Sequence, residues 1–110
     1  MNEYNFTMPM YKATSIENQE KLIGILKRHV PTLREYGLIV DTPAYLLQSE
    51  DGTLIETFEW KNEKAMEVAN EHPAIRIIWG EMEGICTFPS LQDLPESKNR
   101  FPSFRILDKY

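Results

Sequence analysis

Apolar and polar positions along this chain alternate first with a strand period, then with a helical one, and the two periods take turns to its end. Tyr4, Phe6, Met8 and Met10 share one parity, so residues 4–13 predict a half-buried strand. Pro9 places it at an edge or a bend, because proline has no ladder donor. Thr14 with Glu17 three residues later predicts the capping box of a helix. Leu22, Ile23, Leu26, Val30 and Leu33 continue that helix; Pro31 predicts a kink or a fresh first turn, and Gly37 the stop. Residues 38–48 predict a second strand, with Pro43 at an edge or a bulge. Ser49-Glu50-Asp51-Gly52 is hairpin-turn chemistry, and residues 53–60 predict a third strand. Strand alternation puts Leu54, Glu56, Phe58 and Trp60 on one face, and Ile55, Thr57 and Glu59 on the other.

Asn62 predicts the cap of the next helix, whose apolar stripe is Ala65, Met66, Val68 and Ala69. His72-Pro73 breaks it, and Pro73 suits the first position of a second helical segment. Ile75, Ile78, Trp79 and Met82 form the stripe of that segment, and Gly84 ends it. Residues 85–91 predict a fourth strand bent by Pro89, followed by a polar loop over 92–100 and an apolar tail over 101–107. The order β-α-β-β-α-β predicts an α+β fold of ferredoxin-like, split βαβ type, an antiparallel four-stranded sheet with both helices on one face. Residues 1–92 would form that domain, and residues 93–110 a C-terminal extension docking on it or on a dimer partner. The sheet face without helices would be open in a monomer, which predicts a homodimer through it.

Charge and composition narrow the partners. The 110 residues allow one domain. Acidic residues outnumber basic ones by 17 to 12, a net charge of −5, which argues against nucleic acid and anionic membrane surfaces. The excess is local: between Glu50 and Glu83 nine acids meet three bases. That run predicts a solvated acidic face, or a site lined with carboxylate. No apolar run approaches a membrane span, and the first ten residues lack the order of a secretory signal. One cysteine, Cys86, permits no internal disulfide and suits a reducing cytoplasm. Phosphate-loop, dinucleotide, CxxC, HxxxH and GxSxG patterns are all missing, so neither a cofactor nor a metal is expected.

A few side chains can carry chemistry. His72, at a helix break, is a candidate general base, or else a backbone cap for the segment opened by Pro73. His29 sits on the first helix and reads as structural or exposed. Trp60 and Trp79 are either core residues or the walls of a pocket, with Tyr11 and Tyr45 as hydroxyl donors. Glu56 shares its face with Phe58 and Trp60, an expensive place for a carboxylate unless it meets a cavity, a wet edge, or a partner such as Arg34 or Arg76. Cys86 lies in the apolar run Gly84-Ile85-Cys86-Thr87-Phe88 with no cation nearby, and reads as inert core.

The segment TFEW (Thr57–Trp60), then ANEHP (residues 69–73) and IRIIWGEMEGIC (residues 75–86), resembles dimeric α/β-barrel proteins related to the antibiotic-biosynthesis monooxygenases. The resemblance covers roughly residues 4–92 in topology and hydrophobic pattern. It implies an aromatic-acidic cluster at Phe58, Glu59 and Trp60, and a histidine at His72. The extension from Asp93 departs from the short form of that family and would block, line or cover a cavity. Since the family spans several activities, the resemblance speaks to fold more than to function. Two functional expectations stand. One is a cofactor-independent monooxygenase-like or isomerase-like enzyme acting on a flat, apolar, oxygenated small molecule, with His72 as base or orienting donor and Trp60, Trp79, Tyr45, Tyr11, Glu56 and Phe58 around the substrate. The other is a non-catalytic small-ligand-binding or stress-related dimer. A haem-degrading variant is a third, narrower option.

Overall fold

A computed structural model describes residues 3–110. In chain order the elements are β1 (Phe6–Thr7), β2 (Met10–Ala13), α1 (Ile16–Glu35), β3 (Tyr45–Gln48), β4 (Leu54–Glu59), α2 (Ala65–Glu71), α3 (Pro73–Met82) and β5 (Cys86–Thr87). Two short 3-10 turns, Leu91–Asp93 and Pro95–Lys98, lead to β6 (Arg105–Lys109). The fold is therefore α+β, with three helices and one antiparallel sheet of six strands. The strands run β5-β2-β4-β3-β6, and β1 pairs with β4 beside β2.

The expected four strands thus become six. One extra strand arises because Pro9 splits the first: Thr7 lies opposite Phe58 and Met10 opposite Ile55, so β1 and β2 keep one register along β4 and are interrupted only where the donor is missing. The other is β6, made from the segment expected to dock as a tail. It pairs with β3 from Tyr45–Lys109 to Gln48–Arg105, with a bulge between Leu46 and Leu47. The second and fourth strands are shorter than expected. Of residues 38–48 only Tyr45–Gln48 is strand, plus one bridge from Ile39 to Trp60. The fourth is confined to Cys86–Thr87, ahead of Pro89.

Helix ends differ from expectation in detail. Ser15, not Thr14, caps α1, its hydroxyl accepting from the Asn18 amide at 3.1 Å; Thr14 bonds the Asn18 side chain and the Ile85 carbonyl instead. Pro31 does not end α1. An interior proline costs about 3 kcal/mol. Val30 and Leu33 beside it are fully enclosed, and burial of each contributes about 1.5–3 kcal/mol, which offsets that cost. Gly37 does stop the helix. At φ 68° it allows its own amide to reach the Arg34 carbonyl and the Leu38 amide to reach Leu33, a Schellman closure.

All three helices cover one sheet face. Leu22, Ile25 and Leu26 of α1 and Ile78 and Met82 of α3 pack on Tyr11, Leu46 and Leu54. Val30, Leu33, Ala69 and Ile75 pack on Ala44 and Phe58. The opposite face was expected to be open. Leu94 buries itself there against Met10 and Ile55, with Phe104 and Leu47 alongside, so the chain's own extension covers part of it. The expected polar loop over 92–100 is accordingly not all solvated: Glu96 is buried and accepts from the Glu50 amide at 2.8 Å. Of the proposed domain 1–92, the first two residues lie outside the described ones.

Candidate functional site

Two titratable residues sit on apolar stripes that pack together. His29 lies on the buried face of α1, among Leu22, Ile25, Leu26, Val30 and Leu33. Glu56 lies at the centre of β4, a strand buried on both faces. They are 2% and 1% exposed, so each must find its partner inside the protein. His29 Nδ1 is 2.9 Å from both Glu56 carboxylate oxygens, and the Tyr11 hydroxyl donates to Glu56 Oε1 at 2.6 Å. On the far side of the imidazole, Trp79 Nε1 is 2.9 Å from His29 Nε2. An indole nitrogen can only donate, so Nε2 accepts and the ring hydrogen sits on Nδ1, aimed at Glu56. The result is a directed chain, Trp79 to His29 to Glu56, with Tyr11 donating to the same carboxylate. Burial first, then the charge of Glu56 and the hydrogen bond to it, hold the Tyr11 hydroxyl well above its ordinary titration range, so it stays a donor.

This chain borders an apolar cleft of about 650 Å³. β1, the Pro9 break and β2 form one side, α3 another, and residues 88–91 a third. Aromatic walls come from Phe58, Trp60, Trp79 and Phe88; Phe58 and Trp60 meet edge to face at 5.1 Å. Four methionines, Met8, Met10, Met66 and Met82, also border the cleft, and Met8 and Met10 pack in addition against the Leu94 patch of the other sheet face. Methionine side chains are flexible and polarizable, so such a lining adapts to the shape of an apolar guest. Tyr11 and His29 reach the cleft, whereas Glu56 stands behind them.

Of the residues singled out from sequence, the structure brings Tyr11, Phe58, Trp60 and Trp79 to the cleft and puts Glu56 one hydrogen bond away. It does not bring His72 or Tyr45. His72 Nδ1 accepts from the Ala74 amide at 3.2 Å, which caps α3, and its ring packs at a tilt of 46° against Tyr36, centroids 4.1 Å apart. Tyr45 lies under the Lys109 ammonium, outside the cleft lining. Of the alternatives open for Glu56, pairing with an arginine is not what forms: Arg34 bonds the Thr42 carbonyl and approaches Asp41, and Arg76 is exposed.

His29 is the residue that sequence reasoning undervalued. A signal was present, since its position continues the i, i+3, i+4, i+7 stripe from Leu22 and Leu26. A polar residue on such a stripe, facing a strand with its own stranded carboxylate, implies a pair. Cys86 packs in the same core cluster as Tyr11 but makes no hydrogen bond to this network; its Sγ is 3.6 Å from the Met82 carbonyl, and burial pushes its thiol up. Among the described residues no group of three His, Cys, Asp or Glu side chains is placed to hold a metal ion. Nor is any helix among them long and apolar enough to cross a membrane. Set beside protein-family models, curated proteins and solved structures, the chain matches none.

Proposed function

We propose that this protein is a cofactor-independent acid–base enzyme, monooxygenase-like or isomerase-like, that acts on a flat, apolar, oxygenated small molecule. The observation that carries this reading is the buried Tyr11–Glu56–His29–Trp79 chain opening on an aromatic cleft. Glu56 fixes the tautomer of His29 and stands ready to balance an imidazolium, while the apolar walls exclude water. His29 takes the role of base that sequence reasoning assigned to His72. A non-catalytic ligand-binding module is the second reading, and one observation favours it: the Trp79 N–H already occupies the His29 nitrogen that a base would use.

Ring opening of 5-nitrobenzisoxazole separates the two, because the probe is flat and reacts by simple loss of a C–H proton to a base. Native protein should accelerate it over buffer, and His29→Gln should lower the rate by about 100-fold. Equal rates for native protein and variant would leave the binding module.

The finer description of the fold belongs to the same proposal. The order β5-β2-β4-β3 with helical crossovers supports a ferredoxin-like split βαβ unit extended by β6, as in the dimeric α/β-barrel proteins related to antibiotic-biosynthesis monooxygenases. A cytoplasmic homodimer is part of that reading. Phe6, on the parity of Met8 and Met10, and Ile106, opposite the half-buried Leu47, remain exposed beside the patch that Leu94 covers. Sedimentation at micromolar concentration should give twice the 12.9 kDa chain mass, and a monomer would remove the dimer from the proposal.

A further inference from the structure

The Trp79–His29 contact has a chemical meaning beyond closing a network. Trp79 Nε1 carries one hydrogen and no free lone pair, and His29 Nε2 carries one lone pair and, in this tautomer, no hydrogen. The two groups satisfy each other at 2.9 Å, and both rings line the cleft. Most of the wall around them is hydrocarbon or thioether, from Met8, Met10, Phe58 and the Trp60 ring; Thr7 and Trp60, both half-buried, add a hydroxyl and an indole N–H. Glu83 and Ser90 also border the cleft, but both are exposed and sit at its rim. Tyr11 is committed to Glu56. A guest that reaches Trp79 and His29 meets, in that pair, one donor and one acceptor facing each other.

We infer that this pair is the seat of a hydroxyl, and that the ligand is a planar phenol or enol whose O–H inserts between Trp79 Nε1 and His29 Nε2. The inference rests on the cleft being the ligand site proposed above, and names the class of ligand. A hydroxyl has one hydrogen and two lone pairs, so it accepts from Trp79 while donating to His29. An ether or ketone only accepts, and would leave Nε2 without a donor in a dry pocket. The aromatic walls favour a flat frame. Once seated, the ligand O–H bond breaks heterolytically: the electron pair stays on oxygen and the proton passes to Nε2. The imidazolium so formed is held by Glu56 through Nδ1–H, and the Trp79 N–H donates to the new oxyanion. Facing each other at 2.9 Å, Trp79 and His29 satisfy each other's polar groups.

The test compares 4-nitrophenol with 4-nitroanisole, which differ only in the O–H, by calorimetry and difference absorbance on the native protein. 4-Nitrophenol should bind at least about tenfold more tightly, the contribution of one good hydrogen bond. It should also be bound as its yellow phenolate at a pH where the free compound is mostly phenol. Trp79→Phe, which keeps a ring and loses the N–H, should still bind 4-nitroanisole but show much less phenolate. Equal affinities for the two probes, a bound phenol rather than phenolate, or an unchanged phenolate fraction in Trp79→Phe would each overturn the hydroxyl seat while leaving a ligand cleft. Failure of both probes to bind would remove the cleft reading and this inference with it.

Discussion

At the scale of single residues, Glu56 holds the site together because it accepts from two buried donors. A carboxylate on the inside of a central strand is costly alone, and both the Tyr11 hydroxyl and His29 Nδ1–H would be stranded without it. Glu56→Ala should therefore cost about 2–6 kcal/mol, since it strands two buried donors at about 1–3 kcal/mol each. Glu56→Gln keeps the shape and one acceptor, and should cost only about 1–3 kcal/mol. Urea unfolding of both variants checks the order; a Glu56→Ala cost below 1 kcal/mol would mean the network adds nothing to stability. The carboxylate itself was conspicuous in the sequence, on the face of Leu54, Phe58 and Trp60. Its partners were not, because pairing depends on which helix crosses β4 and at what height.

At the scale of elements, turns and caps follow local chemistry closely. The turn between β3 and β4 is closed at Asp51, whose carboxylate accepts from the Ser49 hydroxyl and from the Thr53 amide at 3.0 Å, with Gly52 at φ 92°. Burial pushes the Asp51 carboxyl up, but these hydrogen bonds and the nearby Lys12 outweigh it and bring its pKa to about 2. A carboxyl held below its unfolded value near 3.8 contributes its full stability above about pH 4 and loses it as pH falls towards 2. Thermal melts across that window should show native protein losing stability more steeply than Asp51→Asn, with no difference in slope at neutral pH. The Asp-Gly turn was plain in the sequence. The shift of the α1 cap from Thr14 to Ser15 was not, since two hydroxyls one residue apart compete for the same amides. The Ile85 carbonyl, 71 residues on, receives Thr14.

At the scale of the whole molecule, the C-terminal extension is part of the sheet. β6 adds a strand outside β3, and the turns before it lay Leu94 on Met10 and Ile55. Leu94 is 4% exposed, so Leu94→Ala should cost about 2–4 kcal/mol by chemical denaturation. A cost under 0.5 kcal/mol would show that the extension only rests on the surface. Apolar content alone marked residues 101–107 for docking, but no periodicity there announced a strand. Edge pairing is decided by the partner strand's free backbone groups, and those belong to β3.

The sequence by itself determined the alternation of strand and helix, the breaks at Pro9 and His72-Pro73, the stop at Gly37 and the hairpin turn at Asp51-Gly52. Each of these depends on backbone chemistry within a few residues. Tertiary structure alone decided that His29 rather than His72 stands at the cleft, that Glu56 meets a histidine and a tyrosine rather than an arginine, and that the tail becomes a strand. The two histidines differ by surroundings, not by type. His72 spends its ring on an amide two residues away, while His29 is carried by α1 to a carboxylate 27 residues on and an indole 50 residues on. Contacts over such distances are set by how helices seat on the sheet, which no local pattern encodes.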